Sequence, residues 1–248
     1  MTEPSIQQDT PSTAASPVLS AFGTFVAIFT APSRAMQSVL QRPRAWFPIV
    51  LTIVCNAVLF LWYYQIVDFP WLQDRLTAAV ADPAARAQAQ HFITKNLLLA
   101  SSAGGLLIGV PFAYAVFALY FFVVAKIRNL PIGYGKWFGF AAWVSIPAIL
   151  TLPLGAIQIL MAQGGHLDLN QLNPVTLNSL FFHLESGQHW ASLLDSLSLI
   201  TLWTIVVATL GFQVWSKASR SVSAAVALAP YIVIYGVWAA IAFMSKGA

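Results

Sequence analysis

Charge is what this chain most lacks. Asp, Glu, Lys and Arg together make up 8% of its 248 residues, against roughly a quarter in an ordinary soluble domain. With 58% hydrophobic residues, so few charges exclude a water-soluble particle, because large exposed apolar patches drive association. Cysteine is nearly absent too. Cys55 is the single thiol, which excludes an internal disulfide, and its apolar surroundings read as those of a small buried hydrophobe. The 12 basic residues give a net charge of +4, yet they form no arginine-rich arm and no zinc-finger spacing. Nucleic acid is therefore not expected as a partner. Also missing are a GxxxxGK phosphate loop, a GxSxG elbow and a pair of acids inside an apolar run. GGLLIG (104–109) has neither the preceding strand nor the glycine spacing of a dinucleotide fingerprint. A protein that is not an enzyme and holds no cofactor is the expectation.

What the sequence does have is long apolar runs. About 20 apolar residues in a helix cross the hydrocarbon layer, and five runs qualify: 46–66, 97–125, 137–161, 193–215 and 224–244. The predicted fold class is an all-α polytopic integral membrane protein. It has five transmembrane helices and an additional N-terminal interfacial or amphipathic helix. Residues 1–17, polar and rich in Ser, Thr, Gln and Pro, read as a disordered tail. Residues 18–45 read as an interfacial helical region, and 46–244 as the membrane domain. The 18–31 run is short for a span, and Glu3 and Asp9 before it have the wrong sign for a cleaved signal. Its Phe22, Phe25 and Phe29 fall at helical spacing, as in a segment lying at the interface. Pro32 opens a further short helix, with Arg34 on its polar side and Met36, Val39 and Leu40 as apolar anchors. Asp82-Pro83 is a cap and first-turn proline, from which the second span starts ahead of the membrane. Gly104, Gly105 and Pro111 bend or thin that span.

Basic residues in short connections set orientation. With the N-terminus inside, Arg34, Arg42, Arg44, Lys126, Arg128, Lys136, Lys217 and Arg220 are inside, while Arg75, Arg86, Lys95 and Lys246 are outside. Five spans then leave the C-terminus outside.

The stretch GYGKWFGFAAWVSIP (133–147) places Lys136 where a connection meets the third span. Its stem can lie along Trp137 and Phe138 while the ammonium reaches water or headgroups. Tyr134, Trp137 and Trp143 fall at depths favoured by amphipathic rings. Gly135 and Gly139 form one small-xxx-small face and Gly105 and Gly109 another, for close helix packing. Pro147 and Pro153 break the third span, which either bends it or opens a groove. Asn56, Gln158 and Gln213, the central polar residues, are expected to bond neighbouring helices.

In HLESGQH (183–189), His183, Glu185 and His189 could hold a metal, with His166, Asp168 and Asp195 joining after folding. The competing reading is solvated side chains, because no HExxH fixes their geometry. Asp195 also suits a cap for the fourth span. Asn173-Pro174 can start a short helix that dips Phe181 and Phe182 into the interface.

Two segments, FTAPSRAMQSVLQRPRAWFPIVL (29–51) and KIRNLPIGYGKWFGFAAWVSIPAIL (126–150), together with the five-span pattern, resemble the Yip1 domain family, in particular its bacterial branch. The matching positions are Pro32, Arg34, Pro43, Trp46 and Pro48 in the first, and Gly135, Lys136, Gly139 and Pro147 in the second. The resemblance implies five spans, a cytosolic N-terminus and a bacterial inner (cytoplasmic) membrane. It supplies no catalytic residue. Eukaryotic members associate with Rab-type GTPases and with one another through a long N-terminal region that has little counterpart here.

The function expected is therefore a membrane scaffold or assembly factor acting through helix packing. Its partners would be lipids and a second copy or another membrane protein. Arg34, Trp46, Gly135, Lys136, Gly139, Pro147 and Pro153 are the candidate groove or partner-contact residues. The alternative is a small transporter, channel or lipid-moving protein with a polar path beside the broken third helix.

Overall fold

The computed structural model describes residues 18–185, 188 and 190–245; the tail expected over 1–17, together with His189 and Lys246, lies outside them. Twelve α-helices joined by short 3-10 and π turns make up the described fold. Helix α1 (Ala21–Thr30) is capped by the Ser20 hydroxyl, which accepts from the Gly23 amide, and α2 (Pro32–Gln41) begins on its proline. The two form a hairpin, closed where the Leu19 amide donates to Ser38 Oγ at 2.9 Å. At ten residues each, neither is long enough to span.

Five longer helical stretches are long and apolar enough to cross a membrane. The first is α3 (Trp46–Ile66). Helices α4 (Phe69–Leu76) and α5 (Pro83–Phe92) follow outside it, capped by Asp68 and Asp82. The second span, Lys95–Ile127, consists of α6 (Lys95–Gly104), a π-helical turn at Gly105–Gly109 and α7 (Val110–Ile127). The third, Tyr134–Met161, consists of α8 (Tyr134–Val144), a 3-10 stretch over Ile146–Leu150 and α9 (Thr151–Met161). After α10 (Ala191–Ser196) come α11 (Leu199–Ser216) and α12 (Arg220–Ser245), the fourth and fifth spans. The chain is an all-α polytopic membrane protein.

Connections alternate between the two ends of the bundle. One end carries Arg42, Arg44, Lys126, Arg128, Lys136, Lys217 and Arg220; the other carries Asp68, Asp74, Asp82, Asp168, Glu185 and Asp195 with Arg75, Arg86 and Lys95.

Three expectations about the spans are corrected. The Asp82-capped α5 ends at Phe92, and a new cap, Thr94, starts the second span at Lys95. The fourth span begins at Leu199, not 193, because the chain is extended at Leu197 and Ser198 and the Ser198 hydroxyl caps α11. Asp195 is consequently not a cap for that span. It accepts from Asn170 Nδ2 at 2.9 Å and Asn178 Nδ2 at 2.8 Å.

Lipid chains are as apolar as Leu, so helices associate in a membrane through close packing and interhelical hydrogen bonds. The third span is where this packing concentrates. Gly139 through Val144 are buried without interruption. Around them lie Phe121 of α7, Phe212 and Trp215 of α11, Met36 and Val39 of α2, and Ile28 of α1. A smaller cluster at the acidic end joins Leu59, Tyr63 and Tyr64 to Leu72, Ile159, Leu167 and Leu172. The most apolar window of the third span is 33% buried, and that of α12 only 11%.

The glycine faces sort differently from their sequence pattern. Among the described residues, no atom of another element lies within 4 Å of where a Cβ would stand at Gly105, Gly109 or Gly135, so the expected close approaches do not occur there within the described fold. At Gly139 that position is 2.8 Å from Pro43 Cβ and the Pro43 carbonyl oxygen, and at Gly211 it is 2.7 Å from the Phe140 ring. Overpacking typically costs about 1–3 kcal/mol. Gly139→Ala should therefore lower the unfolding temperature in detergent or nanodiscs, while Gly105→Ala and Gly109→Ala leave it within about a degree or raise it, since Ala favours a helix. Equal loss in all three would contradict the packing described.

Candidate functional site

Both family-like segments meet in one junction at the basic end. Trp143 Nε1 donates to the Arg44 carbonyl oxygen at 3.1 Å, and its ring stacks on Phe47 with centroids 5.6 Å apart. Trp215 Nε1 donates to the Met36 carbonyl oxygen at 2.8 Å. Trp137 lies parallel to Phe121 at 5.7 Å and beside Trp215 at 5.0 Å. Trp137 and Trp143 were expected at interfacial depth. They are instead enclosed, at 0% and 2% exposure, because α2 and the Pro43–Ala45 corner fold over α8.

Of the candidate contact residues, Gly139 and Pro147 belong to this buried junction. Arg34, Trp46, Gly135 and Lys136 are exposed at its margin, with Trp46 60% exposed. Pro153 is also exposed, in the first turn of α9. The junction thus separates the motif residues into an inner packing set and an outer rim.

Beside the broken third helix lies a cleft of about 410 Å³, lined by Phe112, Tyr114, Phe117, Ser145, Tyr231 and Ile234 among others. Its walls are mostly carbon, so the polar path expected there is instead an apolar cleft. The hydroxyls at its floor are already engaged. Ser145 Oγ donates to the Ala141 carbonyl at 2.9 Å, and Tyr114 donates to Thr52 Oγ1 at 3.4 Å. Asn56, one of the central polar residues, likewise turns back onto its own helix, donating to the Thr52 carbonyl at 2.8 Å.

At the acidic end a polar cavity of about 580 Å³ opens. Arg75 of α4 forms its ionic centre, donating to Asp168 at 3.1 Å and to Glu185 at 3.5 Å. The hydrogen bond to Asp168 holds the guanidinium above its ordinary pKa, so it stays charged throughout the working range. His166 stacks on Trp71 at 5.1 Å, with Nε2 3.6 Å from Asp68. A capping box between Asp168 and Gln171 shapes the adjoining turn. Asp195 braces the far wall through Asn170 and Asn178. His183 and Glu185 line this cavity as well, whereas His189 lies outside the described residues. Among the described residues no three His, Cys, Asp or Glu side chains converge as a metal site. The short helix expected after Asn173-Pro174 is a π-helical turn at Asn178–Phe182, with Phe181 and Phe182 exposed.

Sequence reasoning missed Arg75, Asn170 and Asn178 as members of one site. The available signal was the polar run DLNQLN (168–173), unusual in a chain this apolar.

These features define a five-span helical membrane protein whose third span is clasped by an N-terminal helical hairpin. The Yip1 domain family matches residues 26–241, and the chain belongs to that family. No curated protein and no solved structure matches it.

Two of the three buried indoles of the junction, Trp137 and Trp215, differ in one testable respect. Trp215 has its carbonyl acceptor, while Trp137 Nε1 has no hydrogen-bond partner among the described residues. A buried unpaired donor costs about 1–3 kcal/mol. Trp137→Phe should therefore be the milder change in thermal unfolding, and Trp215→Phe, which removes the hydrogen bond joining α11 to α2, the more severe. The reverse order would contradict the assigned bonding.

Proposed function

We propose that this protein is a non-catalytic integral-membrane scaffold or assembly factor, working through helix contacts with a second copy or another membrane protein. The observation that carries this reading is the solid aromatic interior. Phe121, Trp137, Phe140, Phe212 and Trp215 fill the space between the spans at the basic end. A filled interior leaves the bundle's exterior for recognition. There, among the described residues, α12 offers an exposed face of Ile232, Val233, Val237 and the open Gly236. Small residues on such a face let another backbone approach closely.

The rim of Arg34, Trp46 and Lys136 at the basic end offers a second contact zone. Basic connections favour the cytoplasmic side, so this rim and the N-terminus are assigned to the cytoplasm and the acidic end to the opposite side. A bacterial inner membrane suits the family resemblance and this charge distribution.

Affinity purification in mild detergent after photo-crosslinking in intact cells tests the reading. The expected product is a reproducible dimer or one recurring partner, attached through α12 or the basic rim. The same cells, treated with a membrane-impermeant amine reagent, should leave Lys126, Lys136 and Lys217 unmodified. Recovery of monomer alone under all conditions would contradict the scaffold role, and modification of those lysines would contradict the sidedness.

A further inference from the structure

The acidic-end cavity has a neighbour that no span pattern foreshadows. An apolar groove of about 450 Å³ runs along the acidic-end half of α11 and the middle of α12. It is lined by Leu199, Leu202, Ile205, Leu228, Ile232 and Tyr235, together with residues of the 175–181 and 197–198 segments. Both pockets fall within the roughly 300–1,000 Å³ range of ligand sites.

A single thin wall separates them. It consists of two short segments joined antiparallel at Thr176 and Ser198, with the Leu177 amide donating to the Leu197 carbonyl at 2.6 Å and the Leu199 amide to the Val175 carbonyl at 3.0 Å. Pro174, Asn178, Ser179, His183 and Asp195 line the polar cavity on one side. Val175, Leu177, Leu180, Phe181 and Leu197 line the apolar groove on the other. The wall is amphipathic across its thickness.

The register of α12 places this groove among lipid chains. Tyr235 donates to the Ser196 carbonyl at 3.1 Å, level with the start of α11. Beyond it α12 continues through GVWAAIAFM (236–244), about 13 Å at 1.5 Å per residue. That extension belongs to the apolar stretch of the fifth span, so the groove, which lies nearer the middle of α12, is at membrane depth. The residues bordering it point outward accordingly: Phe181 is 70% exposed and Ile232 65%. What meets this surface in a membrane is an acyl chain.

The cavity across the wall selects the head. Among the described residues, Asp168, Glu185 and Asp195 line it beside the imidazoles of His166 and His183 and one guanidinium, Arg75, which two of those carboxylates already hold, so three carboxylates face one fixed positive charge. An anionic headgroup would meet a surplus of negative charge. An ammonium would be attracted, and hydrogen bonds from ionised donors to carboxylates are among the stronger ones.

We propose that the cavity and groove are two halves of one site for an aminophospholipid, its ammonium lying among Asp168, Glu185 and Asp195 and one acyl chain along α11 and α12. The site does not depend on the scaffold reading, since a monomer would carry it equally.

Native mass spectrometry of the full-length protein, with phosphatidylethanolamine and phosphatidylglycerol of identical chains offered in turn, tests this. Phosphatidylethanolamine should be retained about tenfold more strongly, the equivalent of one charge-assisted contact. Asp195→Asn combined with Glu185→Gln should bring the two lipids to parity. Leu202→Trp, which fills the groove, should weaken retention of both. A phosphatidylethanolamine with a diazirine in its acyl chain should crosslink to 199–205 or 228–235 in the unaltered protein, a readout independent of how the variants fold. Equal retention of the two lipids by the unaltered protein, no retention of either, or crosslinks spread evenly over all spans would overturn the proposal.

Discussion

Two indole N–H groups fix how this bundle closes. Trp143 reaches the Arg44 carbonyl and Trp215 the Met36 carbonyl, so both bind main chain that lies before the first span. Inside a membrane the hydrophobic effect does little to draw helices together, and directional bonds with close packing must serve. The Arg44 carbonyl has a proline, Pro48, four residues on and so no helical amide to accept from, while the Met36 carbonyl, inside α2, takes the indole as a further donor. By accepting from tryptophans on the third and fourth spans, they bring the N-terminal hairpin over the third span. Gly139 then has to be glycine because Pro43 rests against it, and Gly211 because the Phe140 ring does.

From that closure follows a division of labour along the molecule. At the basic end, rings occupy the space between spans and little is left for a ligand. At the acidic end the helices are shorter or broken, and loops fold back over them. Arg75, Asp168, Asn178 and Asp195 come from separate parts of the chain, and their mutual hydrogen bonds hold those loops in place. Nearby, Gly165 adopts φ +74° and its carbonyl receives the Asp68 amide at 3.1 Å, tying the end of the first span to the turn after the third. Packing thus concentrates at one end and polar architecture at the other.

The spans were legible because their signal is summed over some twenty residues, and no neighbour is needed to read it. The cap at Asp82 and the helix start at Pro32 were legible for the same local reason. Membership of the Yip1 domain family was likewise readable from the two quoted segments. The fate of individual residues was not. Gly105-x-x-x-Gly109 and Gly135-x-x-x-Gly139 have the same spacing, yet only Gly139 meets a neighbour, since contact depends on where Pro43 arrives from a distant turn. Trp143 carries the same ring as an interfacial tryptophan, and only the fold over it makes it internal. The start of the fourth span escaped because LLDSLSL (193–199) is apolar enough to continue a helix. The bridge between Thr176 and Ser198, 22 residues apart, is what draws it out straight.

The central claim is that residues 137–146, the basic-end part of the third span, are enclosed by protein, away from both lipid and water. Carbene footprinting of the unaltered protein in bilayers tests it without any substitution, using one photolabel dissolved in the lipid and another in the aqueous phase. The account predicts that 137–146 takes up neither label while 232–241 takes up the lipid-phase label heavily. Strong lipid-phase labelling of 137–146 would place that segment on the outside of the bundle, and strong aqueous labelling would reveal a water-filled passage; either result would contradict the account.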